Sequence, residues 1–106
     1  MLDPSHVYKV CTASEWREAL ARGVYQGSAD DRRDGFIHLS NAAQLGETLR
    51  RHFAGQEDLV VVAVDSRSLG ERLRWEPSRG GDLFPHLYGD LDVGLAVEVR
   101  PIEPPD

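Results

Sequence analysis

The chain of 106 residues is poor in three features: it has one cysteine, one lysine and no long apolar run. Its single cysteine, Cys11, cannot form an internal disulfide, so no oxidising compartment is indicated. The first residues lack the basic start and apolar stretch of a signal peptide, and no segment has the roughly 20 apolar residues of a membrane helix. We therefore expect a cytoplasmic protein without a signal peptide or a membrane segment.

The charge balance excludes one large class of proteins. Twelve basic and eighteen acidic residues give a formal net charge of −6, and the pI is about 5.1. General nucleic-acid binders carry a basic surface and a high pI instead. The 41% of hydrophobic and 28% of charged residues are typical of an ordinary folded domain. We expect one domain over residues 1–106, with a frayed, proline-rich tail at 100–106.

Strand and helix signals are clearest near the N-terminus. The β-branched and aromatic residues at 6–11 predict a strand. Thr12 and Glu15 then have the spacing of a capping box, which predicts a helix over 13–22 that ends at Gly23. The predicted buried face of this helix consists of Trp16, Ala19 and Leu20.

The middle of the chain predicts a loop, a strand, a helix and a further strand. The mixed charges of residues 23–34 indicate a solvated loop, and 35–40 predict a short strand. A helix follows over 42–53. Its predicted apolar face consists of Leu45, Leu49 and Phe53. The apolar run within 58–65 is typical of a central strand that is covered on both faces.

The last third of the chain completes the predicted fold class. Residues 72–76 predict a short strand and 77–82 a flexible loop. Because of Pro85, we interpret 84–89 as an ordered loop, while 91–99 predict the last strand. Two main helices with four or five strands indicate an α+β domain and not a doubly wound nucleotide fold.

Residues 34–40 are the most informative segment for function. Side chains alternate along a strand, so Ile37 and Leu39 would face the core. Phe36, His38 and Ser40 would then share the other face, so a histidine and a hydroxyl lie together near the end of the strand. The alternative is structural: His38 is a half-buried strand histidine and Ser40 caps the next helix. The spacing leaves both interpretations open.

Two further segments offer candidate residues. Glu76 either pairs with Arg74 at the surface or points into a cleft, where it can accept a proton or stabilise positive charge. In 84–89, His86 and Tyr88 offer stacking faces and hydrogen-bond donors for a planar ligand. Alternatively, the apolar side chains of that segment close one end of the sheet.

Other chemistries find no support in the sequence. The four histidines show neither close pairing nor a cysteine partner at zinc spacing, so we predict no metal site. The chain has no glycine-rich phosphate loop and no nucleophile elbow. Cys11 is expected to be buried and inert.

Taken in order, these residues resemble the bacterial domain-of-unknown-function family 952. The resemblance extends over nearly the whole chain and depends on several uncommon residues. They are residues 7–10, Trp16, Gly23, Tyr25, Gly27 and Ser28, then residues 34–40 with Gln44 and Thr48, then Trp75, Glu76 and residues 84–89. The family has no established biochemical activity.

The resemblance implies a fold similar to the ADP-ribosyltransferase superfamily, a small split mixed sheet with a cleft that binds NAD in the enzymes. In those enzymes the first core strand carries an Arg or His that holds the ribose, the second a Ser or Tyr that lines the nicotinamide pocket, and the third a Glu. By order, residues 7–10 resemble the first strand, 36–40 the second, and Glu76 or 84–89 the third. This chain departs from the enzymes in having Tyr8 and Lys9 at the first position and His38 at the second.

Three hypotheses for function follow. In the first, a nucleotide-type cleft binds NAD or an ADP-ribose-related compound as ligand or substrate, with no other cofactor required. Its predicted catalytic residues are His38 and Glu76, and its predicted ligand-binding residues are Tyr8, Lys9, Ser40, Phe84, His86 and Tyr88. In the second, a non-enzymatic domain of the same fold binds a small metabolite or a protein partner. In the third, the domain self-associates through 84–89. The sequence leaves open whether the protein is an enzyme.

Overall fold

The computed structural model describes residues 3–102, apart from the side chain of Arg79. This part of the chain contains eight strands and three α-helices, which confirms the α+β class. In order they are β1 (His6–Thr12), α1 (Ala13–Arg22), β2 (Val24–Tyr25), α2 (Ala29–Asp34), β3 (Ile37–His38), α3 (Leu45–His52), β4 (Leu59–Asp65), β5 (Leu73–Ser78), β6 (Asp82–Leu87), β7 (Leu91–Asp92) and β8 (Ala96–Ile102). Short 3₁₀ segments lie at Ser66–Arg72, Arg79–Gly81 and Val93–Leu95.

The strands form two three-stranded sheets and one two-stranded sheet. Their orders are β1-β4-β8, β3-β6-β5 and β2-β7. Every pairing in residues 3–102 is antiparallel, so the expectation of a mixed sheet is wrong. Parallel neighbours need a crossover that returns the chain to the same end of the sheet. Here each strand instead reaches its neighbour from the opposite end.

The two larger sheets are joined by one bridge. Tyr8 of β1 and Ser40, just after β3, exchange two backbone hydrogen bonds with N···O distances of 2.8 and 2.9 Å. Apart from this bridge, no backbone pairing between β1 and β3 occurs in the described residues: β1 pairs with β4, and β3 pairs with β6. The sheet is therefore split, and the split opens beside Lys9 and His38.

The local signals near the N-terminus produce the predicted helix. The Glu15 amide donates to Thr12 Oγ1 at 3.0 Å, and the Thr12 amide donates to Glu15 Oε1 at 2.9 Å, which completes the capping box. The helix α1 ends at Gly23, whose φ of 92° is a conformation that favours glycine. Of its predicted buried face, two residues are buried, but Leu20 is 54% exposed. Leu20 lies outside the stripe that Trp16 helps to form against the core.

The predicted loop at 84–89 is instead largely β6, the central strand of its sheet. Pro85 is tolerated there because its carbonyl accepts from the Leu39 amide at 3.0 Å on the β3 side, where the pairing of β3 ends. The N–H that proline lacks would face the same side, so the β5 ladder loses no hydrogen bond. The predicted loop at 77–82 shortens to a turn at Arg79–Gly81.

The charged segment 23–34 is not a solvated loop. It contains β2, which pairs with β7, and the short helix α2. The helix α2 has a capping box of its own: the Asp31 amide donates to Ser28 Oγ at 3.2 Å and the Ser28 amide donates to Asp31 Oδ2 at 2.9 Å. Most of its side chains are exposed, but that of Asp31 is buried.

Two elements have ends that differ from the prediction. α3 begins at Leu45 and not at 42, because Asn41 and Gln44 first form a turn in which each side chain accepts from the other's amide. β8 continues to Ile102 through its pairing with β4, so a frayed tail is wrong for residues 100–102. The rest of that predicted tail, 103–106, lies outside the described residues.

The apolar core lies on both faces of β4. Residues 59–64 are all buried, as predicted for a central strand. One face of β4 packs with α1 and the other with α3. Among the described helices, none has both the length and the apolar character to cross a membrane.

Candidate functional site

A cavity of about 540 Å³ occupies the split between the two larger sheets. Most of its wall comes from β1, α2, β3, α3 and β6, and α1 and β5 contribute one residue each, Glu15 and Ser78. Segments that are distant in sequence therefore meet around one space. Its volume lies in the range of small-molecule sites.

Six of the eight predicted site residues line this cavity. They are Tyr8, Lys9, His38, Ser40, Phe84 and His86. Glu76 and Tyr88 are not on the cavity wall, but both belong to a hydrogen-bonded group that includes His86. Glu76 is therefore placed to influence the cavity only through His86.

An ion pair between Lys9 of β1 and Asp31 of α2 lies on the wall of the cavity. Lys9 Nζ lies 2.8 Å from Asp31 Oδ2, and the two side chains are 7% and 2% exposed. Lys9 Nζ also donates to the His38 carbonyl at 3.2 Å, and the His38 amide donates to Asp31 Oδ1 at 3.1 Å. These two side chains replace the backbone hydrogen bonds that β3 would make with β1 if the strands did not separate.

Asp31 stays ionised despite its burial. Burial alone would raise the pKa of this carboxyl, but hydrogen bonds from His38 and Lys9, with the charge of Lys9, outweigh it and hold the pKa well below its usual range. Asp31 Oδ1 lies 2.6 Å from His38 Nδ1, and Asp34 Oδ2 lies 3.0 Å from His38 Nε2. Ionised carboxylates only accept hydrogen bonds, so each contact is satisfied when the ring nitrogen that makes it carries a hydrogen.

A second histidine–carboxylate pair lies on the neighbouring strands. Glu76 Oε1 accepts from the Tyr88 hydroxyl at 2.7 Å and lies 2.8 Å from His86 Nδ1. The hydrogen bonds from Tyr88 and His86 lower the pKa of Glu76. An ionised Glu76 requires the hydrogen on Nδ1 of His86, which leaves Nε2 of a neutral ring as an acceptor. Within residues 3–102, Nε2 has no hydrogen-bond partner.

Phe36 holds the rings of the two histidines in place. Its ring stacks on that of His86 with centroids 4.0 Å apart and an interplanar angle of 22°, and it lies 4.7 Å from the His38 ring. The two imidazole centroids are 5.6 Å apart, edge to face. Both histidines are directly opposite each other in the β3–β6 pairing, so they stand side by side on one face of the sheet.

Other polar groups complete the wall of the cavity. The hydroxyls of Ser40 and Thr48 are 2.7 Å apart, and Ser40 does not cap α3, whose N-cap is Gln44. In the part of the chain that the structure covers, no three His, Cys, Asp or Glu side chains are arranged to hold a metal ion. Cys11 is buried, and burial raises the pKa of its thiol to about 12.

Sequence reasoning did not assign Asp31, Asp34 or Phe36 to the site, although the alternation along 36–40 places Phe36 on the same face as His38. The spacing of Ser28 and Asp31 is a capping-box signal that can predict α2. It does not predict the burial of Asp31, because the partner that neutralises it, Lys9, lies on a different strand. A contact of this kind leaves no local pattern.

Comparison with known proteins finds a matching family and similar solved structures. The model of the family described as a protein of unknown function (DUF952) matches residues 10–99. The crystal structure of CC0527 from Caulobacter crescentus is 46% identical, with 92% of this chain and 86% of that chain covered and a TM-score of 0.90. The solution NMR structure of CC0527 is 45% identical, with 93% and 85% covered and a TM-score of 0.85. No curated protein matches.

Proposed function

Because this chain belongs to DUF952, a family of unknown function, we propose its function from the geometry of the cavity. The cavity binds a small nucleotide- or nucleoside-type molecule, and NAD and ADP-ribose-related compounds are the first candidates. One observation carries this proposal. His38 and His86 line the same cavity, and each is fixed at Nδ1 by a carboxylate, at 2.6 and 2.8 Å.

The ribose is the part of such a ligand that these groups fit best. Nε2 of His86 accepts a hydrogen bond from a ribose hydroxyl. The paired hydroxyls of Ser40 and Thr48 both donate and accept, so they suit a second hydroxyl of the sugar. Phe84, on the same wall, supplies an aromatic surface for a planar base.

The position of the cavity supports the same proposal. The family resemblance implies an NAD cleft in a split sheet, and this cavity lies in the split between β1 and β3. Lys9 differs from the ribose-holding residue of the enzymes, because its ammonium group is already bound by Asp31 and by the His38 carbonyl. We therefore propose that Lys9 stabilises the split between β1 and β3 and does not contact the ligand directly.

Catalysis is a second candidate function, favoured by the pair of His86 and Glu76. Glu76 fixes the hydrogen on Nδ1, which leaves Nε2 placed to take a proton from a ligand hydroxyl or a water in the cavity. Both ring nitrogens of His38 are already held by Asp31 and Asp34, so we assign to His38 a supporting role in this scheme and not proton transfer to the ligand. Glu76 acts through His86 in this scheme and does not touch the ligand.

Saturation-transfer NMR with NAD and with ADP-ribose, followed over hours, tests both functions. Transfer to the adenine or nicotinamide protons supports binding, and free nicotinamide that accumulates with time supports catalysis. The variant His86→Gln is expected to weaken binding about tenfold, the equivalent of one hydrogen bond of about 1.4 kcal/mol.

The matched control is His6→Gln, since His6 lies on β1 but does not line the cavity. Equal affinity of wild type and His86→Gln would contradict the assignment of His86. If no nucleoside-type compound binds, the second hypothesis, a domain that binds another metabolite or a partner protein, is favoured instead.

A further inference from the structure

The last strand, β8, forms one outer edge of the sheet β1-β4-β8. Within the described residues, β8 pairs only with β4. We propose that this edge is an interface between two copies of the chain, in which β8 pairs antiparallel with β8 of a second copy about a two-fold axis at Val99. The two sheets then join into one sheet of six strands. None of the residues of β8 lines the cavity, so this inference does not depend on the proposed function.

The register of the sheet shows which backbone groups of β8 are free. In an antiparallel pair, the N–H and C=O of one residue point to the same side, and the side alternates along the strand. Tyr8 uses both groups in the bridge to the other sheet, so its partner Ala63 points away from β1 and towards β8. Because Ala63 pairs with Glu98, Glu98 binds β4, and the backbone groups of Val99 and Pro101 point to the outer edge.

The position of Pro101 agrees with this assignment. Proline lacks an N–H, and it is tolerated in a sheet where that N–H would face an open edge. Pro101 therefore pairs with Val60 of β4 without costing the sheet a hydrogen bond. Two residues earlier, Val99 presents both its N–H and its C=O at this edge. About a two-fold axis, these groups can exchange two hydrogen bonds with Val99 of a second copy.

The charges of β8 are self-complementary about Val99. Arg100 Nε lies 3.2 Å from Glu98 Oε2, and the Arg100 and Glu98 side chains are 53% and 48% exposed. With the axis at Val99, Glu98 of each copy lies opposite Arg100 of the other, and opposite charges in this position stabilise an antiparallel pair. An axis one residue away would place Glu98 opposite Glu98, or Arg100 opposite Arg100, which is destabilising. The charge pattern therefore selects one register.

β8 also carries exposed apolar side chains. Val97 and Val99 are 56% and 39% exposed. In the proposed register, Val99 packs beside Val99 of the second copy, and Val97 lies opposite Pro101. Pairing of the two edges therefore covers apolar surface as well as matching opposite charges.

Two features of β8 limit how far the pairing extends. Edge strands are commonly protected by proline and by bulges. Here Pro101 lies at one end of the free edge, and at the other end the register with β4 shifts between Glu98 and Ala96. The contact is therefore much smaller than the roughly 20–30 residues per side of a standard interface. We expect a weak dimer, and association stops at two copies because two-fold pairing uses both free edges.

Sedimentation equilibrium over a wide range of protein concentration measures this association. Between about 10 μM and about 1 mM, the range of a weak complex, we expect the weight-average mass to rise from the 11.8 kDa of one chain towards twice that value. Over the same range, NMR shifts of backbone amides that depend on concentration should be confined to β8 and centred on Val99.

Charge reversals test the register. Arg100→Glu makes the charges beside Val99 all negative, and Glu98→Arg makes them all positive, so each variant alone should raise the Kd of self-association at least about tenfold. An equimolar mixture of the two variants restores opposite charges across the interface and should form a heterodimer at least as readily as wild type self-associates. The control, Arg51→Glu, reverses one charge of an exposed ion pair in α3 and should leave the Kd unchanged.

Each outcome decides the inference. Association that both reversals weaken and their mixture restores supports it. A mass of one chain throughout the concentration range overturns it, as does association that Arg100→Glu leaves unchanged or weakens no more than Arg51→Glu does. Amide shifts confined to another exposed apolar surface, such as that of Trp75 and Leu83, would also overturn it.

Discussion

Replacing Asp31 with asparagine is the sharpest test of how the split is stabilised. The carboxylate of Asp31 is 2% exposed and receives hydrogen bonds from Lys9, from the His38 amide and from the Ser28 amide. The variant Asp31→Asn leaves the ammonium group of Lys9 buried without a counterion. Removing one partner of a buried ion pair costs about 3–5 kcal/mol.

The lower end of that range applies here. The amide oxygen of asparagine still accepts from one of the two backbone amides, so part of the hydrogen bonding survives. We expect the free energy of unfolding to fall by about 3 kcal/mol, a large share of the roughly 5–15 kcal/mol of a typical domain. Urea unfolding followed by tryptophan fluorescence measures it, because Trp16 is buried in the core.

Asp30→Asn is the matched control for this measurement. Asp30 is adjacent in the same helix and carries the same charge, but its ion pair with Arg33 is exposed, with side chains 75% and 68% accessible. Exposed pairs contribute little, so the control should lose no more than about 0.5 kcal/mol. A loss below about 1 kcal/mol for Asp31→Asn, or one equal to that of Asp30→Asn, would refute the reasoning.

A double-mutant cycle with Lys9→Met extends the test. Lys9→Met alone should cost less than Asp31→Asn, since Asp31 keeps its hydrogen bonds with the His38 ring and with two backbone amides. The double variant no longer contains an unpaired ammonium group, so its loss should be smaller than the sum of the two single losses by at least about 1 kcal/mol. Strict additivity would mean that the two side chains do not stabilise each other.

Three further predictions follow from the same structure. The pKa of Asp31 is lower in the folded than in the unfolded state, so its contribution to the free energy of unfolding is fully present above the unfolded pKa of about 4 and is lost as the pH falls through the folded pKa. Acid unfolding of wild type should therefore show a loss of stability over this range that Asp31→Asn lacks. The pKa of the Cys11 thiol is raised to about 12 by burial, so a thiol reagent should label the native protein only as fast as it unfolds, and rapid labelling at neutral pH would contradict this. Gly27→Ala should lower the free energy of unfolding in urea by about 1–3 kcal/mol, because φ is 100° there and an added Cβ would lie 2.7 Å from Asp31 Cβ. Its control is Gly46→Ala in α3, where the nearest atom would be 3.6 Å away, and this variant should be neutral or slightly stabilising.

Elements defined by local patterns were predictable from the sequence. The capping box of Thr12 and Glu15 fixes the start of α1, and the apolar run of 59–64 identifies β4 as a central strand. β6 was not predictable in the same way. Pro85 argues against a strand by local rules, and it is tolerated only because β3 stops pairing opposite it.

The candidate site was predictable as a set of segments but not as a set of contacts. Alternation along β3 places His38 on the face opposite Ile37, and the structure agrees. The contact of His86 with Phe36 depends on the register of the β3–β6 pairing, and the sequence does not reveal that register. The sequence left open whether Glu76 enters the cleft or pairs with Arg74 at the surface. Its position behind His86 likewise depends on the register of β5 and β6.

The two capping boxes show why a local motif alone does not identify a functional carboxylate. Glu15 and Asp31 both occupy the third position of a helix and both accept from the backbone amide of the capping residue. Glu15 is half-buried, whereas Asp31 is buried because α2 lies over the split, where Lys9 and His38 supply the positive charge. The motif in α1 therefore only caps its helix, whereas the motif in α2 also supports a histidine on the wall of the cavity. What distinguishes them is the separation of β1 from β3, which leaves the amide and carbonyl of His38 without strand partners, and the buried pair of Lys9 and Asp31 satisfies both.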